Sequence, residues 1–239
     1  LNYIWIHLWP NAYKNKETAL YKQVASQPDL KEKLKTYTET GFIDGLEFKV
    51  NGKKAELSDN TENIDVAKLN LPQPLLPGEK IIITTPFHVK LPGYFSRLGH
   101  NGNYYMISQW YPKPAVYDRK GWHSFPYLDQ GEFYSEFGSF DVSITIPTAY
   151  VVAATGNLMD EKELNAYKTS GKQNKLKIGE LIRSETDPKK ITKLLESVQL
   201  EKVSMNAYQS ATKTLHFKES RIHDFAWFAS KDFVVLYDT

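Results

Sequence analysis

Between Tyr104 and Pro147 the chain reads YYMISQWYPKPAVYDRKGWHSFPYLDQGEFYSEFGSFDVSITIP, and twelve of these 44 residues are Phe, Tyr or Trp. Pro112, Pro114, Pro126, Gly121, Gly131 and Gly138 interrupt the stretch. No helix persists across such breaks, because proline lacks an amide donor and glycine loses the most backbone entropy on ordering. What is left is a set of short extended runs whose aromatic and β-branched side chains suit a pleated surface. Phe140, Val142, Ile144 and Ile146 alternate with Asp141, Ser143 and Thr145, which predicts a strand with one wet face. Phe133, Phe137 and Phe140 are expected to bury where that strand begins. Pro112 and Pro114 place Trp110, Tyr111 and Tyr117 on a loop or sheet edge, where large aromatics mark contact surfaces.

The rest of the chain repeats this theme. Residues 1–9 alternate, with Ile4, Ile6 and Leu8 on one face and Tyr3, Trp5, His7 and Trp9 on the other. A strand apolar on both faces is covered on both. Asn51-Gly52 between two short β-prone runs predicts a tight hairpin, since both central residues need positive φ. Further strands are expected at IDVAKLNL, from Lys80 to about Val89, and at YVVAATGNL as the partner of the 140–146 strand, ending at Gly156. KTLHFKESRI and FAWFASKDFVVLYD close the chain with strands. Helical patterns occur at 16–27, at 29–37 (Leu30, Leu34, Tyr37), and after Asp187-Pro188, where Asp caps, Pro fits the first turn, and Ile191, Leu194, Leu195 and Val198 form a buried stripe. The predicted fold class is all-β with small helical insertions, in a β-sandwich.

Composition narrows the functional classes. Thirty Lys+Arg against 28 Asp+Glu give a net charge of +2, which offers no basis for binding nucleic acid or an anionic membrane. No run approaches the length of a membrane span. Without cysteine there are no disulfides and no thiolate ligands. The six histidines, His7, His88, His100, His123, His216 and His223, form no i, i+4 pair, and HExxH, G-x-S-x-G, the P-loop and G-x-G-x-x-G are all missing. The sequence therefore holds no metal-ligand set and no catalytic residue. HNGN at 100–103 reads as a turn, His216 and His223 as structural histidines, and Glu132 with Glu136 as strand-edge carboxylates rather than a glycosidase dyad.

YMISQWYPKPAVYD, followed by GEFYSEFGSFDVSITIPTAYVVAATGNL and, near the end, TLHFKESRIHDFAWFASKDFVV, resembles the N-terminal β-domain of the zinc aminopeptidases related to aminopeptidase N and leukotriene hydrolase, and within them a bacterial branch. The resemblance covers about 80–235 outside an insertion at 160–212, is weaker for 1–13, and fades over 14–79. It implies a saddle-like β-sandwich, a non-catalytic fragment over 1–239 with helical or irregular insertions at about 14–45 and 160–212. A catalytic domain is then expected after 239, and a cell-envelope or secreted location. Zinc would belong to the parent protein and not to this fragment. The expected partners are the downstream catalytic domain, which the early aromatics would face, and a peptide substrate.

In that family the HExxH zinc site and a G-x-M-E-N amine-binding loop lie elsewhere, and GNLMDE at 156–161 is only an echo of the latter. Ser108-Gln109 matches the element through which this domain reaches the substrate's first residue, so the resemblance assigns substrate binding to Gln109. The usual proline-cysteine-aspartate segment is replaced by WYPKPAVYD. The alternative reading is a stand-alone β-sandwich that presents Trp110, Tyr111, Tyr104 and Tyr105 as a platform for carbohydrate or protein.

Overall fold

A computed structural model describes residues 1–28, 32, 34, 39–131, 133–204 and 210–237. They form two compact units, Leu1–Gly138 and Ser139–Thr239. Antiparallel ladders carry both, with helices entering as insertions, so the chain is all-β with helical insertions.

In the first unit β1 (Tyr3–His7) is central. Ile4, Ile6 and Leu8 are buried, as the alternation predicts. Pro10 then turns the chain into a 3-10 helix over Trp9–Tyr13. Helix α1 (Ala19–Ala25) begins where the Thr18 hydroxyl accepts the Tyr21 N–H and buries Leu20 and Val24. The expected helix over 29–37 lies largely outside the described residues. Short strands follow: β2 (Phe42–Asp44), β3 (Lys49–Val50), β4 (Lys53–Lys54), β5 (Leu57–Asp59), β6 (Val66–Asn70), β7 (Ile83–Thr84) and β8 (His88–Lys90). Asn51 and Gly52 join β3 to β4 at φ of 48° and 79°, the positive values the dipeptide predicts. β1 pairs with β6 from Tyr3↔Asn70 to His7↔Val66, and β6 pairs with β5. Ile4, Ile6, Leu8, Ile43, Phe48, Val50, Ala55, Ala67 and Leu69 pack into one core cluster. The single strand expected from Lys80 is instead two short pieces on different ladders, β7 on β3 and β8 on β2. Pro86 lies between them and has no amide to offer a ladder.

The unit closes with β9 (Leu98–Asn101), β10 (Tyr104–Ile107), β11 (Lys113–Pro114), β12 (Tyr117–Asp118) and β13 (Gly121–Trp122). β9 and β10 form a hairpin through Gly102 at φ 56°, so Gly102 and Asn103 of HNGN make the turn while His100 and Asn101 end β9. β11 pairs with the edge of β1, Pro114 opposite Ile6.

The second unit is built from β14 (Gly138–Pro147, whose first residue ends the first unit), β15 (Val151–Ala154), β16 (Asn157–Leu158), α2 (Glu161–Ser184), α3 (Pro188–Ser197), β17 (Thr212–Ile222) and β18 (Trp227–Ser230). β14 has the wet and dry alternation the sequence predicts, with Ile144 buried. Its neighbour is β17, not β15. The turn Pro147–Tyr150 has neither Gly nor Asn, and the chain leaves β14 there to pair β15 with β18, Val151↔Ser230 through Ala154↔Trp227. Gly156, at φ 89°, then lets the chain pass β17; a Cβ there would lie 2.9 Å from the Glu219 Cβ.

Phe137 is a correction, being 69% exposed instead of core, while Phe133 packs on Trp9 and Phe140 stacks on Phe225. The stripe on α3 is another: Asp187 caps the helix through the Lys189 N–H, yet none of its residues is buried. The 24-residue α2 has no counterpart among the helices that the sequence predicts. It buries Glu163, Ser170, Gly171 and Asn174 instead of an apolar stripe. Asn174 donates to the carbonyls of Glu201 and Val235 and accepts from the Glu201 N–H, and the backbone at Tyr237 crosses at Gly171.

Candidate functional site

Gln109 lies on the connection between β10 and β11. Its backbone sits at φ 52°, one of three non-glycine residues at positive φ among those described, and its half-buried side chain leaves Oε1 shielded from solvent with no hydrogen-bond partner among the described residues. A left-handed glutamine costs about 1–2 kcal/mol relative to an ordinary conformation, and a buried carbonyl without a donor adds to that. The neighbouring residues explain how the turn is maintained. Ser108 Oγ donates to the Arg97 carbonyl at 2.5 Å. The Arg97 guanidinium donates to the carbonyls of Leu128 and Asp129 and lies over the Phe133 ring. Ser96 Oγ donates to Asp129 Oδ1 at 2.7 Å, and Tyr13 Oη donates to Tyr127 Oη at 2.9 Å. Burial raises the Tyr13 phenol well above its ordinary pKa, so this hydroxyl stays neutral.

The aromatics around Gln109 are half-buried. Trp110 packs on Phe87 and edge-on to Tyr111, and Tyr105 stacks on His100. Tyr104, Tyr105, Trp110 and Tyr111 are thus each partly covered. The more exposed rings of this unit are Tyr94, Tyr117, Tyr134 and Phe137.

Five of the six histidines separate into two kinds. Four sit beside single carboxylates: His88 Nδ1 to Asp44 at 2.8 Å, His100 Nε2 to Glu39 at 3.0 Å, His123 Nε2 to Asp118 at 3.0 Å, and His216 Nε2 to Asp141 at 2.5 Å. The His123 ring holds the Asp118 carboxyl below its usual pKa, and His216 with Lys218 does the same for Asp141. No group of three or more His, Asp or Glu side chains arranged to hold a metal occurs among the described residues. His7 is the other kind. It is buried between Trp9 and Phe125, and the His123 backbone is the one polar group that partly favours its charged form. Burial, and then the Lys113 cation, lower its pKa to about 3.

Asp65 is also buried, with Oδ2 accepting the Tyr127 N–H at 2.6 Å, and burial pushes its pKa up to about 6. Neither His7 nor Asp65 stands out in the sequence as a buried ionisable group. Only the odd-position face of β1, which His7 shares with Trp5 and Trp9, hints at burial. Glu136 is exposed, and Glu132 lies outside the described residues. In GNLMDE, Asp160 Oδ2 accepts the His216 N–H at 2.5 Å just before α2, a structural task.

No family model matches the chain, and no curated protein matches it. Its structure is similar to solved M1 zinc metallopeptidases. That from Deinococcus radiodurans is 12% identical with a TM-score of 0.40, over 96% of this chain and 34% of the other. A mutant of such an enzyme from the same organism, bound to a Tyr-Ser-Ala substrate, is 13% identical with a TM-score of 0.37 over 80% of this chain and 34% of the other. A two-domain M1 zinc metallopeptidase mutant bound to L-arginine is 13% identical with a TM-score of 0.36, over the same shares. The chain spans about a third of the length of these proteins. Agreement of this degree is one of loose shape, and no residue's role follows from it.

Proposed function

We propose that the chain is the non-catalytic N-terminal β-domain of a bacterial zinc aminopeptidase, a saddle-like β-sandwich over residues 1–239 that packs on a downstream catalytic domain and forms one side of the cleft for a peptide substrate. Zinc and bond cleavage belong, in this reading, to the catalytic domain, whose HExxH the present sequence lacks. Gln109 is the residue through which this domain reaches the substrate. The observation that carries the reading is a coincidence of two independent lines. The residue that the Ser108-Gln109 motif singles out by resemblance is also the one with a left-handed backbone and a shielded, unpartnered amide oxygen among the described residues. Backbone strain and an unpaired polar atom at one position are features that folds retain where function uses them.

The chemistry fits the role. An amide oxygen without a partner accepts an N–H, which a peptide's free amine supplies once the side chain turns toward it; the amide nitrogen of the same side chain can donate to the first carbonyl. Such contacts orient the substrate's first residue without taking part in proton transfer.

The test places Gln109→Ala and Gln109→Gly in the full-length enzyme. Loss of one or two oriented hydrogen bonds, about 1–3 kcal/mol, lowers kcat/KM on aminoacyl substrates roughly ten- to hundredfold. Gly also releases the left-handed strain, so that variant should melt at a higher temperature while turning over more slowly. A kcat/KM unchanged in both variants removes Gln109 from the site. A downstream sequence without HExxH removes the aminopeptidase reading itself.

A further inference from the structure

The chain contains two Asn-Gly dipeptides, Asn51-Gly52 and Asn101-Gly102, both exposed at hairpin ends. The dipeptide is chemically reactive, because glycine has no side chain to shield its amide nitrogen from the asparagine carbonyl carbon beside it. The two glycines are alike, since a Cβ on either would meet nothing within 4 Å. The asparagines are not. Asn51 occupies the turn itself, and Ile82 holds it at two points: the Asn51 N–H donates to the Ile82 carbonyl at 2.8 Å, and Asn51 Oδ1 accepts the Ile82 N–H at 2.9 Å. Its side chain must release that bond before its carbonyl carbon can turn toward Gly52. Asn101 is the last residue of β9 and is paired with Tyr104 through its backbone. Its exposed side chain has no hydrogen bond among the described residues, so nothing holds it away from the Gly102 nitrogen.

We propose that Asn101 is a self-modification site, converting to aspartate and isoaspartate in the folded protein while Asn51 is preserved. The Gly102 nitrogen attacks Asn101 Cγ and a C–N bond forms. The Cγ–Nδ2 bond breaks, and Nδ2 leaves as ammonia with the proton that Gly102 gives up. Water then opens the five-membered imide, its hydroxyl going to the carbonyl carbon and its proton to the nitrogen. Opening at Cγ gives aspartate; opening at the main-chain carbonyl gives isoaspartate. Either product adds one negative charge next to His100, whose Nε2 already meets Glu39 at 3.0 Å. Isoaspartate also adds a carbon to the main chain at the end of β9, so the Tyr104↔Asn101 pair cannot keep its register. The far end of the same hairpin carries Ser108 Oγ on the Arg97 carbonyl, next to Gln109.

Incubation of the 239-residue chain at mildly alkaline pH, folded and in urea, tests it, with peptide mapping by mass spectrometry that separates aspartate from isoaspartate. In urea the two sites should convert at similar rates, since only the local dipeptide acts there. In the folded chain Asn51 should slow by at least about tenfold, the effect of two net hydrogen bonds, while Asn101 keeps a rate close to its unfolded one. Asn101→Gln, which would have to close a less favourable six-membered ring, should abolish conversion at that position and leave Asn51 as before. Folding that slows Asn101 as much as Asn51 overturns the proposal, as does faster conversion at Asn51 than at Asn101 in the folded chain. The isoaspartate form, isolated by ion exchange through its added charge, should exchange the Tyr104 amide faster than the fresh chain. Equal exchange overturns the loss of register.

Discussion

Acidification tests the buried histidine directly. His7 is 1% exposed, and its folded-state pKa is about 3 against an ordinary value of 6.5. A base whose pKa is lowered on folding stabilises the fold above its unfolded pKa, and that stability is lost as pH falls toward the folded pKa. The window therefore runs from about 6.5 down to about 3. The full shift is worth about 5 kcal/mol, and the part already lost at about pH 4.5 is about 3 kcal/mol. Against the 5–15 kcal/mol of a typical domain, roughly, protonation of one ring becomes a main cause of acid unfolding. His7→Leu keeps a similar volume between Trp9 and Phe125 and removes the titration.

Urea unfolding followed by tryptophan fluorescence, at about pH 7.5 and about pH 4.5, gives the stability change of each form over that interval. The variant should lose about 3 kcal/mol less than the parent. Comparing changes cancels the packing difference between Leu and His, and it cancels Asp65, which is present in both. Equal losses within about 0.5 kcal/mol would show that His7 is hydrated or paired in solution and would refute the argument.

Other groups give further expectations. Asp65, raised to about 6 by burial, has the opposite sign: its ionisation weakens the fold as pH rises from about 4 through about 6. Asp65→Asn, whose carbonyl can still accept the Tyr127 N–H, should gain about 3 kcal/mol more relative to the parent above that window than below it, measured by the same unfolding series. Lys213 and Glu163 form an ion pair at 2.5 Å with side chains 1% and 0% exposed; Glu163→Ala removes the carboxylate from beside a buried cation and should destabilise by about 3–5 kcal/mol. Glu163→Leu combined with Lys213→Met should recover most of that loss in denaturant titrations. Tyr167 Oη accepts the Val152 N–H at 2.9 Å and donates to the Val152 carbonyl at 3.1 Å. Tyr167→Phe should therefore lower stability by about 1–3 kcal/mol and speed amide exchange at Val152.

Where a feature depends on a few adjacent residues, the sequence by itself determined it. Asn51-Gly52 dictates its hairpin because the two positive φ values are local properties. The alternation in 140–146 dictates a strand with one wet face, and Asp187-Pro188 dictates a helix start. The motif around Ser108-Gln109 drew attention to one residue, but the left-handed backbone and shielded oxygen at Gln109 belong to the tertiary structure, where Arg97 and Asp129 from distant segments hold the turn.

Only that structure decided which ladder β14 and β15 join, because strand pairing is a choice among partners far apart in the chain. It also decided that α2 packs through Ser170, Gly171 and Asn174, a polar fit with no periodic apolar signal to read. On α3 the pattern was legible and its burial was not. A stripe specifies which face of a helix is apolar, whereas the surface that covers it is supplied from outside the helix. The pKa values of His7 and Asp65 depend in the same way on what surrounds them, since desolvation is set by the neighbours that exclude water and not by the residue that titrates.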